Sequence, residues 1–229
     1  MEFIIILSVF LITFLTLKFV FDANLKELKN VAEDEELDRI TQKYPENTEI
    51  CKFYLKKLGN EDVTIQEDKN SNTTLYLVLN NKIFIADLKK SYTRIQTIAH
   101  ECLHSIQSKK ILWFNYIFSN IYLVYFAAIC VLGVLKVLPF KMLFLTILVL
   151  FGTVYSFVRN YLENDAMIKA KYLAKEYMEE SKILDKEIND KILKKYDEIN
   201  NIGIKCVNFQ VFSSLMIKNI IFCLICIIR

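Results

Sequence analysis

The sequence predicts a mainly α-helical integral membrane protein with four transmembrane helices and a small polar α+β part. Of its 229 residues, 54% are apolar and 24% are charged, and the two kinds are segregated along the chain. Only 4 Gly and 2 Pro occur, which disfavours turn-rich β folds. Four apolar stretches are each long enough to cross the roughly 30 Å hydrocarbon layer as a helix.

The charged and sulfur-containing residues exclude two classes of protein. The 29 basic and 26 acidic residues are interspersed, so no basic stripe indicates a nucleic-acid partner. Three of the six cysteines lie inside apolar stretches and form no spaced disulfide framework, which predicts free thiols in a reducing compartment. The lipid bilayer is therefore the expected environment, and no nucleic acid is expected.

The apolar and polar stretches divide the chain into five segments. These are an N-terminal transmembrane anchor at 1–21, an α+β segment at 22–110, a transmembrane helical hairpin at 111–158, a polar helical segment at 159–206 and a C-terminal transmembrane helix at 207–229. The anchor lacks a basic n-region and a cleavage site, so we expect it to be retained. Lys218 interrupts the last helix. We expect it to snorkel or to face neighbouring helices, and the alternative is a functional polar pocket.

Basic residues at the membrane flanks predict the orientation. Four crossings place segments 22–110 and 159–206 on one side of the membrane. That side has many flanking basic residues, namely Lys26, Lys29, Lys109, Lys110, Arg159, Lys169, Lys171 and Lys205. The other side has Lys136, Lys141 and Arg229. The positive-inside rule then predicts a multi-pass protein of the cell membrane with both polar segments in the cytoplasm.

Segment 22–110 is predicted to contain a helix followed by short strands. The helix covers 48–58, with Asn47 as its N-cap and Gly59 at its end. Three β-prone runs follow it, at 63–66, 74–79 and 82–86. The Asn80-Asn81 step predicts a hairpin between the last two runs, because Asn tolerates positive φ.

The two histidines of the chain belong to one motif, His100-Glu101-Cys102-Leu103-His104, which is an H-E-x-x-H sequence. Residues four apart lie on the same face of a helix, so both imidazoles reach one Zn²⁺ at about 2.0–2.1 Å. Glu101 stays within reach of a metal-bound water. The motif therefore predicts a zinc site in which Glu101 is the catalytic general base.

The surrounding residues favour the helix that this motif requires. Between residues 92 and 108, the apolar positions Ile95, Ile98, Cys102 and Ile106 recur at steps of three and four, and the histidines fall on the opposite, polar face together with Thr97 and Gln107. Cys102 points away from His100, so we expect it to pack in the core rather than to bind metal.

A catalytic zinc ion takes three protein ligands, and the chain has no third histidine. This excludes the metzincin pattern and favours a carboxylate, as in gluzincin-type peptidases. Glu163 follows the hairpin on the correct side of the membrane and is the predicted ligand. Asp165 is expected to be a surface or packing residue, and Asn160 to hold a ligand by hydrogen bonding. Small residues near the Glu163 face allow a second helix to pack closely: Ala166, Ala170 and Ala174.

Residues 98–107, the two apolar helices after them, and residues 163–170 resemble the neutral zinc metallopeptidases of bacterial membranes, the YugP-like family, with its A-H-E-x-G-H-x-x-Q and E-x-x-A-S-x-x-A elements. The resemblance covers nearly the whole chain. It implies that His100, His104 and Glu163 bind zinc and that Glu101 is the general base.

Two residues depart from that pattern. Leu103 stands where the family has Gly, and Met167 stands where it has a small polar residue. Membrane peptidases related to the prenyl-protein proteases and the heat-shock HtpX group are similar as well, but they carry Asp at the position of Met167. They are therefore the second choice.

Two functions remain open. The first is a membrane-integrated zinc endopeptidase with a zincin-like cytoplasmic part, which hydrolyses peptide or membrane-protein substrates through a Glu-assisted zinc-bound water. The substrate is expected to add to the strand at 82–86, and Tyr161, Arg159 and Tyr92 are equal candidates for stabilising the oxyanion. The alternative is a non-catalytic zinc-binding membrane protein that acts as a partner or sensor module. The sequence specifies neither the substrate nor the oligomeric state.

Overall fold

The computed structural model describes residues 1–68, 71, 73–88 and 91–228. Arg229, used above in the charge comparison, lies outside the described residues. In the described ranges the elements are, in chain order, α1 (Glu2–Phe21), α2 (Leu25–Ala32), α3 (Glu35–Thr41), α4 (Asn47–Lys57), β1 (Thr64–Asp68), β2 (Leu75–Leu77), β3 (Lys82–Ala86), α5 (Arg94–Ile106), α6 (Lys109–Val134), α7 (Lys141–Ser181) and α8 (Lys186–Ile227). The predicted helical class with a small sheet is confirmed, and α1, α6, α7 and α8 are long and apolar enough to cross a membrane.

The chain divides into two compact units. The membrane-helix unit comprises Met1–Ala23, Trp113–Tyr161 and Lys205–Arg229, and the polar unit comprises Asn24–Leu112 and Leu162–Ile204. Helices α7 and α8 contribute residues to both, so each helix is longer than its apolar stretch: α7 continues after it, and α8 begins before it.

Close approach between helices organises the membrane-helix unit. A Cβ atom on Gly152 of α7 would lie 2.1 Å from Leu215 Cδ1 and 2.7 Å from Tyr122 Oη, so any side chain there would displace these two residues. The Lys218 ammonium donates to Ser214 Oγ at 2.7 Å and lies 4.9 Å from the centre of the Tyr122 ring. Lys218 therefore faces the neighbouring helix α6, which was the first of its two predicted roles.

The polar unit contains a three-stranded sheet in the order β1-β3-β2. Strand β1 is parallel to β3, and β2 is antiparallel to it. Ile83 and Ile85 of β3 are fully buried, which suits a central strand. The expectation that a substrate adds to the strand at 82–86 is therefore wrong, because β3 already has a neighbour on each side. The edges of this sheet are β1 and β2.

The predicted hairpin is present, but its turn is longer than expected. Leu77 pairs with Lys82, so β2 ends two residues before Leu79 and residues 78–81 form the turn. Asn81 adopts the positive φ of 48° that the sequence predicted for this step. The apolar residues at 78 and 79 made this turn resemble a strand in the sequence, but Leu79 is 53% exposed.

Helix α4 begins at Asn47 rather than after it. Its N-cap is Glu46, which makes no capping hydrogen bond through its side chain, so the predicted capping role of Asn47 is wrong. Asn47 Oδ1 instead accepts a hydrogen bond from Arg94 Nη1 at 2.9 Å. Gly59, with φ of 65°, ends the helix as predicted.

Arg94 ties the start of α5 to the segments before it. Its side chain is fully buried, and besides Asn47 its guanidinium donates to three backbone oxygens: Thr41 O at 3.0 Å, Tyr44 O at 2.9 Å and Pro45 O at 2.8 Å. The planar fork of arginine reaches all four acceptors at once, which an ammonium group does not. Arg94 therefore fixes where α5 begins relative to the end of α3 and the start of α4.

Replacing Arg94 by Met should lower the free energy of unfolding by at least about 3 kcal/mol, because three buried acceptors and one partly buried acceptor lose their donor, at about 1–3 kcal/mol for each buried one. Arg94→Lys should recover part of this loss. The measurement is thermal unfolding of the detergent-purified protein followed by circular dichroism. Arg39→Met, at an exposed position of α3, is the control. An Arg94→Met protein as stable as this control would contradict the anchoring role.

Candidate metal centre

Helix α5 presents an apolar face to the core of the polar unit. Ile95, Ile98 and Cys102 are fully buried, as their spacing predicts. Cys102 Sγ lies 3.5 Å from Cys51 Sγ, and burial raises the pKa of the Cys102 thiol well above its ordinary value, so this residue packs in the core and does not bind metal. Ile106, at the last position of the helix, is 46% exposed, and its predicted core position is wrong.

The opposite face of α5 places two imidazole nitrogens close to a carboxylate oxygen of Glu163 on α7. His100 Nε2 lies 3.0 Å from His104 Nε2. Glu163 Oε2 lies 3.3 Å from His100 Nε2 and 3.7 Å from His104 Nε2. In a tetrahedral zinc site with bonds of about 2.0–2.1 Å, neighbouring ligand atoms are roughly 3.3 Å apart. The three donors therefore have the spacing of ligands to one ion, and this group could hold a metal ion.

The charge distribution at this site also favours a cation. Two imidazole nitrogens and a carboxylate oxygen offer lone pairs to the same small volume, where the His104 and Glu163 side chains are only 11% and 12% exposed. Burial acts to lower the pKa of His104, but the Glu163 carboxylate, with further contributions from Glu101 and Gln107, raises it above its ordinary value. In the absence of a metal, the site thus attracts a proton to the position that a metal ion would take.

Gln107 determines which nitrogen of His104 faces the metal position. Gln107 Nε2 donates to Leu162 O at 2.8 Å and to Asp165 Oδ2 at 3.1 Å. Its Oε1 is therefore the atom 2.8 Å from His104 Nδ1, and it must accept from Nδ1–H. His104 is then the Nδ1–H tautomer, with the lone pair on Nε2, and Gln107 fixes its ring orientation in the way that outer partners of metal ligands do.

This network corrects two expectations about the residues around Glu163. Asp165 was expected to be a surface or packing residue, but it joins the network around His104, because it accepts from Gln107 Nε2 and from Lys169 Nζ, the latter at 2.6 Å. These bonds hold its pKa below the ordinary value although burial acts to raise it. Asn160, expected to hold a ligand, belongs to the membrane-helix unit, and its Oδ1 has no hydrogen-bond partner among the described residues.

Glu101 follows His100 in sequence, and its carboxyl group is hydrogen-bonded to strand β2. Its carboxyl group is 7% exposed, and its Oε2 accepts a hydrogen bond from the Tyr76 backbone N–H at 2.7 Å. Burial raises the pKa of Glu101 above its ordinary value, and the neighbouring histidines offset part of that rise. Glu101 is thus a buried carboxyl group whose proton affinity is raised and whose position is fixed by a backbone donor.

The structure distinguishes among the three candidates for oxyanion stabilisation and excludes Tyr92. Tyr92 is fully buried, and its hydroxyl donates to Val31 O while its N–H donates to Asp38 Oδ1 at 2.7 Å. It is therefore committed to the core and is excluded. Arg159 and Tyr161 belong to the membrane-helix unit.

Sequence reasoning named the three residues that the structure brings together as a possible metal site, but it missed two of their neighbours. Gln107 was placed on the polar face of α5, and its position three residues after His104 is the signal that could have assigned it. The Tyr76 N–H is a backbone group, for which the sequence carries no signal.

Comparison with known protein families, with curated proteins and with solved structures found no match for this chain.

The two residues that depart from the YugP-like pattern, Leu103 and Met167, are both accommodated by packing. Leu103 is buried, and the Met167 methyl group lies 2.8 Å from the position of a Cβ on Gly203, so the absence of a side chain at residue 203 makes room for methionine.

Glu163→Gln should weaken metal binding by roughly 10- to 100-fold or more, because a ligand loses its charge. Replacing either histidine should remove the metal altogether. Metal content of the purified protein and competition with a chelator measure both effects. Glu179→Gln, at an exposed position of the same helix, is the control. Unchanged affinity in Glu163→Gln would transfer the third-ligand role to another carboxylate.

Gln107→Met keeps the length of the side chain but removes its hydrogen bonds, so His104 loses the partner that fixes its tautomer. We expect metal affinity to fall roughly 10- to 100-fold without loss of the fold. Chelator competition on variants of equal thermal stability tests this. Gln42→Met, at an exposed site in the same unit, should bind metal as tightly as the unaltered protein.

Proposed function

We propose that this chain is a membrane-integrated, zinc-dependent endopeptidase of the YugP-like kind, with a zincin-like polar unit. One observation carries the proposal: His100, His104 and Glu163, from two separate helices, place their donor atoms 3.0–3.7 Å apart on the face of α5 next to Glu101. A core packing role explains neither this convergence nor the burial of so many polar groups.

The donor set suits zinc. Two imidazole nitrogens and one carboxylate oxygen form a three-ligand set typical of catalytic sites, which leaves a fourth position for reactants. When bound, Zn²⁺ would lower the pKa of an attacking water to about 7 and polarise the scissile carbonyl. Soft thiolate ligands are not part of the group, because Cys102 points into the core.

The residues of the chain supply the proton transfers and the positioning. Glu101 accepts a proton from the attacking water and passes it to the nitrogen of the leaving amine, so that the peptide bond breaks with a neutral amine as the product. Gln107 holds the His104 ring in place throughout. The low exposure of these side chains keeps bulk water from competing for the same hydrogen bonds.

The substrate is proposed to bind as an added strand at β2. This strand is an edge of the sheet, and its Tyr76 N–H contacts Glu101, so a peptide aligned along β2 passes beside the general base. The role that the sequence suggested for the strand at 82–86 thus moves to its neighbour in the sheet.

Glu101→Gln should insert, fold and bind zinc normally, because Glu101 is not among the three ligands. Its peptidase activity should fall by about 10²- to 10⁴-fold or more, since the proton of the water has no acceptor. Cleavage of casein or of a membrane-protein substrate is compared with the unaltered protein at equal zinc content. Glu61→Gln, at an exposed position of the polar unit, is the control. Full activity with full zinc in Glu101→Gln would favour the alternative of a non-catalytic zinc protein.

We further propose that the polar unit faces the cytoplasm. Single cysteines at exposed positions test this, because the native Cys51 and Cys206 are buried and react poorly. In intact cells, an impermeant maleimide should label Lys136→Cys but should label Glu61→Cys and Lys182→Cys only after the cells are broken. Labelling of both polar-unit positions from outside would reverse the orientation, and labelling of only one would contradict four crossings.

A further inference from the structure

A hydrogen bond joins Glu101 of α5 to the backbone of strand β2. Glu101 Oε2 accepts from the Tyr76 N–H at 2.7 Å, which is a short bond between an amide and a carboxyl group. Tyr76 itself is held in place, since it is 7% exposed and its hydroxyl donates to Asn81 Oδ1 at 2.9 Å. The bond therefore joins two groups that are both fixed by their surroundings.

The direction of the Tyr76 N–H follows from the pairing of β2. Tyr76 is opposite Ile83 in the antiparallel pair, and its neighbours Leu75 and Leu77 are opposite Phe84 and Lys82. In such a pair, the N–H and C=O of successive residues point alternately toward the partner strand and away from it. Because the Tyr76 N–H is bonded to Glu101, this residue points away from β3, toward the side where a further strand would add.

A peptide that pairs with β2 needs the same N–H. In the described ranges β2 has three residues, so Tyr76 is its central residue and supplies the middle hydrogen bond of any added strand. Leu75, with its side chain 44% exposed, offers an apolar contact beside it. One N–H does not serve a peptide carbonyl and the Glu101 carboxyl group equally well at the same time.

We infer that an extended substrate and Glu101 compete for the Tyr76 N–H, so that the substrate releases the general base when it pairs with β2. The inference rests on the proposed function and adds a substrate class to it: peptides in an extended conformation that reach Tyr76. A shorter substrate leaves Glu101 bonded to the strand and is cleaved slowly. Tyr76 acts here as a positioning residue through its backbone.

Peptide affinity tests the competition without relying on catalysis. The probe is an acetylated and amidated hexapeptide of alternating alanine and leucine with a ketomethylene group in place of the central peptide bond, which prevents cleavage. It carries no charge, so the loss of a carboxylate does not attract or repel it. With zinc-loaded protein, Glu101→Ala should bind this peptide about tenfold more tightly than the unaltered protein, because the competitor for the N–H is gone. Gln96→Ala, a buried polar position of α5 bonded to Asn200, should not change the affinity.

A second substitution shows whether the gain acts through the Tyr76 N–H. Tyr76→Pro removes that N–H without a loss to the pairing with β3, and in this background Glu101→Ala should no longer improve binding. Tyr76→Ala removes the same ring but keeps the N–H, and should preserve most of the tenfold difference. Zinc content and thermal unfolding identify any variant that does not fold, and the comparison of Glu101→Ala with unaltered protein stands without the proline variant.

The outcomes separate this inference from the proposed function. Equal or weaker peptide binding by Glu101→Ala would overturn the competition, and casein cleavage by the unaltered protein would still support the peptidase. If the peptide binds neither the unaltered protein nor any variant, both the addition of a substrate strand to β2 and the competition for the Tyr76 N–H would be contradicted. Persistence of the tenfold gain in the Tyr76→Pro background would show that Glu101 acts on the peptide by another route and would also overturn the inference.

Discussion

Two imidazole nitrogens 3.0 Å apart, with a carboxylate oxygen within 3.7 Å of both, are stable together only around a positive charge. With no cation, either the lone pairs repel one another or a proton must be shared among them, and burial makes both costly. A metal ion removes this conflict because it accepts all three lone pairs at the observed spacing. This constraint applies at the contact between α5, which carries both histidines, and α7, which carries Glu163.

The contacts around the site fix where the donor atoms of His100, His104 and Glu163 lie. Arg94 sets where α5 starts, since its four hydrogen bonds leave the guanidinium a single position. Gln107 then links the end of α5 to α7, because one amide bonds both the His104 ring and Asp165. Fully buried small residues of α7, such as Ala166 and Ala170, leave room for close packing near Glu163. Rigid donors lose little entropy on binding a metal, so this arrangement favours affinity.

The sequence predicted most of what depends on short-range periodicity. The four long apolar helices, the face that His100 and His104 share and the hairpin at Asn81 all follow from spacing along one element. The sequence did not predict features that depend on contacts between distant segments. Nothing in residues 82–86 shows that this run becomes the central strand rather than an edge, and Asn47 has the residue type of a helix cap yet serves Arg94. The position of Glu163 beside the two histidines was predictable only because few carboxylates meet the topological requirement.

The bond between Glu101 and Tyr76 satisfies two groups that would otherwise be costly. A buried carboxyl group needs a hydrogen-bond donor, and an edge strand exposes N–H groups that attract other strands. As long as no further strand pairs with β2, the Tyr76 N–H and the Glu101 carboxyl group satisfy each other's hydrogen-bonding requirement. In the proposed function, a peptide that replaced Glu101 at the edge would pair the N–H again and leave the carboxyl group without a donor, free to accept a proton from the attacking water. On this proposal, the contact that satisfies both groups in the resting protein would make Glu101 most reactive as a base only once an extended chain is in place.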